Sequence, residues 1–248
     1  MSDTSVPSVT PSDSNGLKFA DEEVDSSVGY SSNHKPRPVT EQLTTLGEIF
    51  PRLNFDHAQR FVETALPNMQ LPSGAEGWFA IVRHEAMASS YAWAIKAVFT
   101  LIEGRRVFYN FRRGETGQEY LRQHERTVRK LREVAEQQPG DILILPAQFG
   151  LRHRGRSVRR AREVFTSSEF GLGAFASAIM LLTHPEMLSV QESLSFDSSG
   201  DEYSPSADGE WDCAPAFFCN DTGLGFSARK SDYVDSSVGP VSGFVPQQ

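Results

Sequence analysis

Residues 150–162 read Gly-Leu-Arg-His-Arg-Gly-Arg-Ser-Val-Arg-Arg-Ala-Arg, so six arginines and one histidine fall within the eleven residues from Arg152 to Arg162. A guanidinium presents a planar fork that meets two oxygens of a phosphate or carboxylate at once, and it keeps its charge when partly buried. Glycines at 150 and 155 bracket the Arg-His-Arg triplet and permit close backbone approach. Ser157 reads as the start of a helix with Val158, Ala161 and Phe165 turned inward. Arg156, Arg159, Arg160 and Glu163 then form its outer stripe. The competing reading is a solvated helix face paired internally with glutamates. No Gly-Lys-Ser/Thr follows a glycine-rich loop, and Gly171-Leu172-Gly173-Ala174 is read here without a preceding strand, so no nucleotide-loop motif is assigned.

A second group is Arg105-Arg106-Val107-Phe108-Tyr109-Asn110-Phe111-Arg112-Arg113. Aromatic rings between arginines suit stacking on single-stranded bases. Strand alternation places Val107, Tyr109 and Phe111 on one face, and in a buried strand these are simply core residues, the reading taken here. A third group is the acidic stretch 197–212, with six carboxylates in sixteen residues. Asp197, Asp201 and Asp208 are its candidate ligands for Mg²⁺. The stretch fails the calcium-loop template, and pairing with the arginine loop is the plainer role.

The elements that must position these groups are read from periodicity. Residues 1–39 hold nine serines, four prolines and six acids without helical or strand period, the pattern of a disordered Ser/Pro-rich tail. The hexapeptide Val-Asp-Ser-Ser-Val-Gly occurs at 24–29 and again at 234–239. Helices are expected from Thr40 to Phe50 and from Asn54 to Leu66, each stopped by proline. Strands are expected at 78–82, 107–111 and 142–145. Between them come a helix over 88–103 and one opened by a Thr116/Glu119 capping box, with His124 on its inward stripe. Helices follow at 157–165 and 168–183, then a hairpin turning at Asn220-Asp221-Thr222-Gly223.

Strand and helix alternate, and the strands are apolar on both faces. The expected fold class is therefore α/β, with a mostly parallel sheet covered by helices on both faces and followed by an antiparallel β extension. The expected division is a tail over 1–39, an α/β domain over 40–186 and an acidic β-rich extension over 187–248 packed on the same domain. Ligands of such sheets bind beyond the carboxyl ends of the strands. That rule gathers Arg83, Arg112, Arg113, Arg152, His153, Arg154, Arg156, Arg159 and Arg160 around one edge, with His84 and Glu85 beside Arg83. His153 and Glu202 are the candidate proton-transfer groups.

Composition narrows the classes. Net charge is −8, yet residues 101–165 carry fifteen Lys+Arg against eight acids and residues 166–248 carry two against twelve. An acidic total argues against strong nonspecific nucleic-acid affinity. Two cysteines exclude a disulfide scaffold, and no apolar run is long enough to span a membrane. A cytoplasmic protein is expected, binding a phosphate-bearing ligand (a nucleotide or single-stranded nucleic acid) at the arginine-lined edge. Two alternatives remain: a noncatalytic interaction protein whose acidic extension and tail bind a basic protein partner, and a metal-assisted phosphodiester or nucleotide-processing enzyme.

Overall fold

Strands β1 (Gly77–Val82) and β4 (Ile142–Gln148) form the centre of the first sheet, and they run antiparallel, with Gly77 opposite Ala147 and Val82 opposite Ile142. The computed structural model describes residues 17–30 and 34–247. Around this pair the chain adds β5 (Glu169–Gly171) and β11 (Ser242–Phe244) in the order β1-β4-β11-β5, every pairing antiparallel.

The second sheet is built on the long hairpin β8 (Cys213–Asn220) and β9 (Gly223–Lys230). One side of β8 takes β6 (Ser195–Asp197) and β7 (Asp201–Tyr203). Beyond these lie β10 (Val238–Pro240), parallel to β6, and β3 (Leu121–Gln123), antiparallel to β7. The other side of β9 takes β2 (Phe108–Asn110) in parallel.

The expected parallel sheet is thus corrected. The first sheet is antiparallel and the second is mixed, and the only parallel pairs among the described residues are β10–β6 and β2–β9. Doubly buried strands are apolar on both faces whichever way they run, so the pattern that marked β1, β2 and β4 as strands carried no information on direction. It also placed β2 in the wrong sheet. The C-terminal part is not a separate layer, because β11 sits between β4 and β5 while β2 and β3 belong to the second sheet.

Among the described residues seven α-helices surround these sheets. α1 (Val39–Ile49) and α7 (Ala174–Thr183) pack on β1, and α2 (Asp56–Thr64) on β4. A single turn, α3 (His84–Met87), follows β1. α4 (Tyr91–Glu103), capped by Ser90, packs on α7 and through Phe99 on Phe108, Phe217 and Phe226 of the second sheet. α5 (Glu125–Gln137) begins six residues past the capping-box glutamate Glu119. Its N-cap is His124, whose Nδ1 accepts the Arg126 N–H, and the segment before it is the strand β3. α6 (Val158–Val164) is capped by Ser157 as read from the sequence. The expected helix over 168–183 is instead β5 followed by α7, so Gly171-Leu172-Gly173 does follow a strand.

Of the expected disordered tail, residues 1–16 and 31–33 lie outside the described residues. Residues 17–30 and 34–39 are docked on the body, through contacts with α6 and the Arg154 loop and through Arg37 paired with Glu186. Ion pairs and backbone hydrogen bonds, which apolar periodicity does not report, help hold it there.

Two buried glutamines complete the β1–β4 pair. Ala80 and Ile144 face each other across the strands, and side-chain amides take up the Ala80 N–H and both outward backbone groups of Ile144. Gln42 accepts the Ala80 N–H (2.9 Å) and donates to the carbonyls of Trp78 and Arg37 (2.8 Å each). Gln138 accepts the Ile144 N–H (2.7 Å) and donates to its carbonyl (2.8 Å). Each amide does the work of a missing neighbouring strand, since an unpaired buried backbone group costs about 1–3 kcal/mol. Gln42→Leu therefore lowers unfolding free energy by roughly 2–5 kcal/mol. Urea denaturation reads this directly, and an unchanged midpoint would remove the amide from the account.

Candidate functional site

Where β1 ends, Arg83, His84 and Glu85 stand at the mouth of a cavity of about 340 Å³, within the size range of small-ligand sites. Its floor is apolar: Ile81 from β1, Leu143 from β4 and Phe175 from α7. Its wall is α5, where Val128, Leu131, Arg132 and Ala135 recur at helical spacing and so share one face. Arg132 brings a second guanidinium to the same cavity as Arg83. Among the described residues no carboxylate lies within ion-pair distance of Arg132. The Arg83 Nε lies 3.8 Å from a Glu85 oxygen, and its terminal nitrogen donates to the Gly140 carbonyl at 3.3 Å.

Behind the mouth sits a chain of polar groups. The His84 ring meets the Tyr91 ring edge-on at 5.1 Å, and the His84 Nδ1 lies 3.4 Å from Glu85. The Tyr91 hydroxyl donates to the Asp201 carboxylate at 2.8 Å and accepts the Phe175 N–H at 3.3 Å. Asp201, fully buried, also accepts the Ala174 N–H at 2.7 Å, so the first turn of α7 is already capped from within. A methyl group on Gly173 would run into the Tyr91 hydroxyl and the Asp201 carboxylate, which is why glycine stands there.

Burial dominates the acid–base behaviour of this chain. It raises Asp201 from 3.8 to about 7 against the bonds from Ala174 and Tyr91 and the charge of Arg162. It raises Tyr91 well above 10, with the Asp201 charge adding to the effect. It lowers His84, with Glu85 opposing and Arg83 assisting. Displaced ionisation of neighbouring groups at a cavity is the pattern of a site that holds or moves protons.

The residues expected to share one edge divide between distant places. Arg83 lies beyond the Val82–Ile142 end of the antiparallel pair, whereas Arg152 follows Gln148 at the opposite end, about 20 Å away along the strand. Arg112 pairs with Glu115 (3.3 Å) and lies over the Tyr203 ring, while Arg113 pairs with Glu103 (2.7 Å), both beyond β2 in the second sheet. Arg152, His153, Arg154, Arg156, Arg159 and Arg160 do come together, and each has a partner in the chain. Arg152 and His153 hold Glu169 (3.1 and 2.7 Å), and Arg154 donates to the Val28 carbonyl. Arg156 and Arg160 hold Glu23, Arg160 also holds Glu163, and Arg159 holds Glu22.

His153 is buried against Phe165 and bonded to Glu169, out of reach of an external proton acceptor. Glu202 pairs with Arg122 (2.7 Å). Asp197 is buried with Arg229 (3.1 Å), and burial raises it to about 6. Asp208 accepts from the Ser204 hydroxyl and the Glu210 N–H. The three candidate Mg²⁺ ligands therefore stand in separate surroundings, and no group of three His, Cys, Asp or Glu side chains suited to a metal occurs among the described residues. Among the described residues the acidic stretch meets the arginine-rich segment only at Arg162, which donates to the Ser199 and Asp201 carbonyls. Its acids pair with Arg229, Arg122 and Lys230 instead.

The β2 aromatics also depart from expectation. Phe108 packs inward, but β2 is an edge strand whose outer face is uncovered, so Val107, Tyr109 and Phe111 are exposed. Nothing in the sequence reading marks Arg132 or Tyr91 as a site residue. Arg132 could have been found from its helical register with Val128 and Leu131. The pairing of Tyr91 with Asp201, 110 residues apart, has no local signature.

Because Asp201 binds its proton more tightly folded than unfolded, the stabilisation is present at low pH and is lost as pH rises through about 7. Asp201→Asn keeps an oxygen for Tyr91 or Ala174 and removes the ionisation. Between about pH 4 and pH 8 the variant gains on wild type by an amount on the order of 4 kcal/mol in urea unfolding. Parallel pH profiles for the two proteins would show that Asp201 does not titrate as described.

No protein-family model, no curated protein and no solved structure matches this chain.

Proposed function

We propose that this protein binds a small phosphate-bearing molecule, of nucleotide size, in the cavity between α5, α7 and the end of β1. The observation that carries the reading is the pair Arg83 and Arg132 on one apolar cavity, with Arg132 free of any carboxylate among the described residues. A cation without an internal partner gains more from an incoming anion than one already neutralised. The apolar floor suits the body of a ligand whose charged end lies at the rim. A cavity of this size accommodates a single nucleotide-sized group, which favours a small ligand over a nucleic-acid strand, since a strand tracks an open basic groove.

His84 and Tyr91 line the cavity, with Asp201 bonded behind Tyr91, so proton-holding groups stand at the site and turnover of the ligand is compatible with it. The metal-assisted version has less support, because the candidate Asp residues stand apart. The interaction-protein alternative is weakened in the same way, because the acids it relies on at 197, 201, 202 and 212 are bonded within the chain.

A panel of nucleoside phosphates and pyrophosphate, at low salt with and without Mg²⁺, tests the reading by thermal shift and titration calorimetry. At a ligand concentration near one hundred times Kd the expected stabilisation is about 2.7 kcal/mol. Arg132→Ala and Arg83→Ala each weaken binding roughly tenfold or more, the loss of one charge-assisted bond. A panel that leaves wild type unshifted, or affinities that both substitutions leave alone, would overturn it.

A further inference from the structure

Residues 18–24 lie across α6 in the manner of a bound peptide. The Val24 N–H donates to the Gly155 carbonyl (2.8 Å), the Ser157 N–H donates to the Glu22 carbonyl (3.1 Å), and Glu23 and Arg156 form an antiparallel bridge. Side chains add to this frame. The Glu22 carboxylate takes the Ser157 hydroxyl (2.6 Å) and the Arg159 guanidinium, and the Glu23 carboxylate takes Arg156 (2.9 Å) and Arg160 (3.0 Å). The Phe19 ring lies against the Arg159 guanidinium at 4.6 Å, while Glu163 accepts the backbone N–H groups of Lys18 and Phe19.

The receiving face is built rather than improvised. With residues 18–24 in place Ser157 and Arg160 are buried, and Arg160 also pairs with Glu163 of its own helix at 3.2 Å. Gly155 adopts φ +77°, and a Cβ there would strike the Val24 carbonyl oxygen. The peptide itself contributes little to the core, for Leu17 and Val24 stay exposed. A segment held by ion pairs and edge hydrogen bonds opens at low cost and is weakened by salt.

The repeated hexapeptide adds an independent observation. Both copies converge on one residue, since Gly155 accepts from Val24 and donates to the Val238 carbonyl (2.8 Å). They also end side by side: Leu194 donates to the Gly29 carbonyl, Ser195 to the Ser237 carbonyl, and the Ser26 hydroxyl to the Ser236 carbonyl. The C-terminal copy leads into β10 and belongs to the sheet, whereas the N-terminal copy lies beside it as an added ligand.

We infer that the face made by Gly155, Arg156, Ser157, Arg159 and Arg160 is an acidic-peptide docking site, filled in cis by residues 18–24 and able to take a partner protein's segment of the pattern Phe-x-x-Glu-Glu-Val in trans. Main-chain pairing with Gly155 and Ser157 singles out a peptide over a polyanion lacking amides, which would engage the arginines alone. Tethering places the cis segment at an effective concentration in the millimolar range. A free peptide therefore competes poorly until the cis copy is weakened.

The test uses the full chain and a fluorescent peptide with the sequence of residues 17–25, read by anisotropy. In the variant Glu22→Gln/Glu23→Gln the peptide binds at least about tenfold tighter than in wild type, the release of cis competition. Adding Arg159→Ala/Arg160→Ala abolishes binding, and raising salt from about 0.05 to about 0.5 M weakens it severalfold. If the double variant does not fold, Glu23→Gln alone, which keeps the Glu22 contacts, carries the same readout. A folded variant that ignores the peptide, equal binding by wild type and variant, or capture of heparin but not of the peptide would each overturn the inference.

Discussion

Glu169 has no exposed surface, and an ionised carboxylate in such a place is tolerated only when donors surround it. They come from separate parts of the chain: His153 Nε2 at 2.7 Å, the Ser242 hydroxyl at 2.7 Å and the Arg152 Nε at 3.1 Å, while Arg126 of α5 holds the Glu169 carbonyl. Burial alone would raise the Glu169 pKa. The bonds from His153 and Ser242 and the charge of Arg152 outweigh it, and the value falls below the ordinary one. Loss of any donor would leave the charge stranded. This one side chain thereby fixes β11 between β4 and β5 and sets the loop from Gly150 to Ser157 in place. α6 starts directly from that loop.

The same demand recurs wherever polarity is buried. Gln42 and Gln138 answer the outward backbone of a single cross-strand pair, and Gln148 bonds the Pro240 carbonyl and the Ser242 hydroxyl to bring in β11. Asp201 ties the first turn of α7 to Tyr91 of α4, and Arg162 of α6 reaches back to the carbonyls of Ser199 and Asp201. The back wall of the cavity is therefore set by hydrogen bonds between elements far apart in sequence, with apolar packing filling the space around them. The ionisation at the site follows from this arrangement, because the groups that position α7 are also those whose protons are displaced from their usual range.

Elements whose signal is local were legible in the residues themselves. α1, α2, α4 and α6 follow their apolar stripes, and α6 also its Ser157 cap, whereas Thr40 and Asn54 are not the N-caps of α1 and α2; the β8–β9 hairpin turns at the Asn-Asp-Thr-Gly predicted for it. What failed depended on long-range pairing. The capping box at Thr116 and Glu119 imitates a helix start, but Leu121 to Gln123 pair with β7 eighty residues on, and the helix waits for His124. Strand direction was invisible for β1 and β4, and with it went the supposed meeting of Arg83 with Arg152. At the site, Arg83 was legible because it ends a strand. Arg132 looked like an ordinary solvent-facing cation, and only the tertiary fold shows the cavity that its helical face borders.

A dense run of arginines reports anionic partners without saying whose they are. In water-exposed surroundings the attraction of one opposite charge at about 4 Å is on the order of 1–4 kcal/mol, depending on the local dielectric. An external phosphate approaching Arg156, Arg159 or Arg160 must first displace Glu22, Glu23 or Glu163, forfeiting most of that attraction. The cluster that looked most like a phosphate site is for this reason better matched to a peptide bearing the same carboxylates in the same register. Arg132 escapes the penalty, having nothing to displace among the described residues. The local count of basic side chains therefore does not say which surface holds an unpaired cation, and the carboxylates supplied by the fold itself account for the difference.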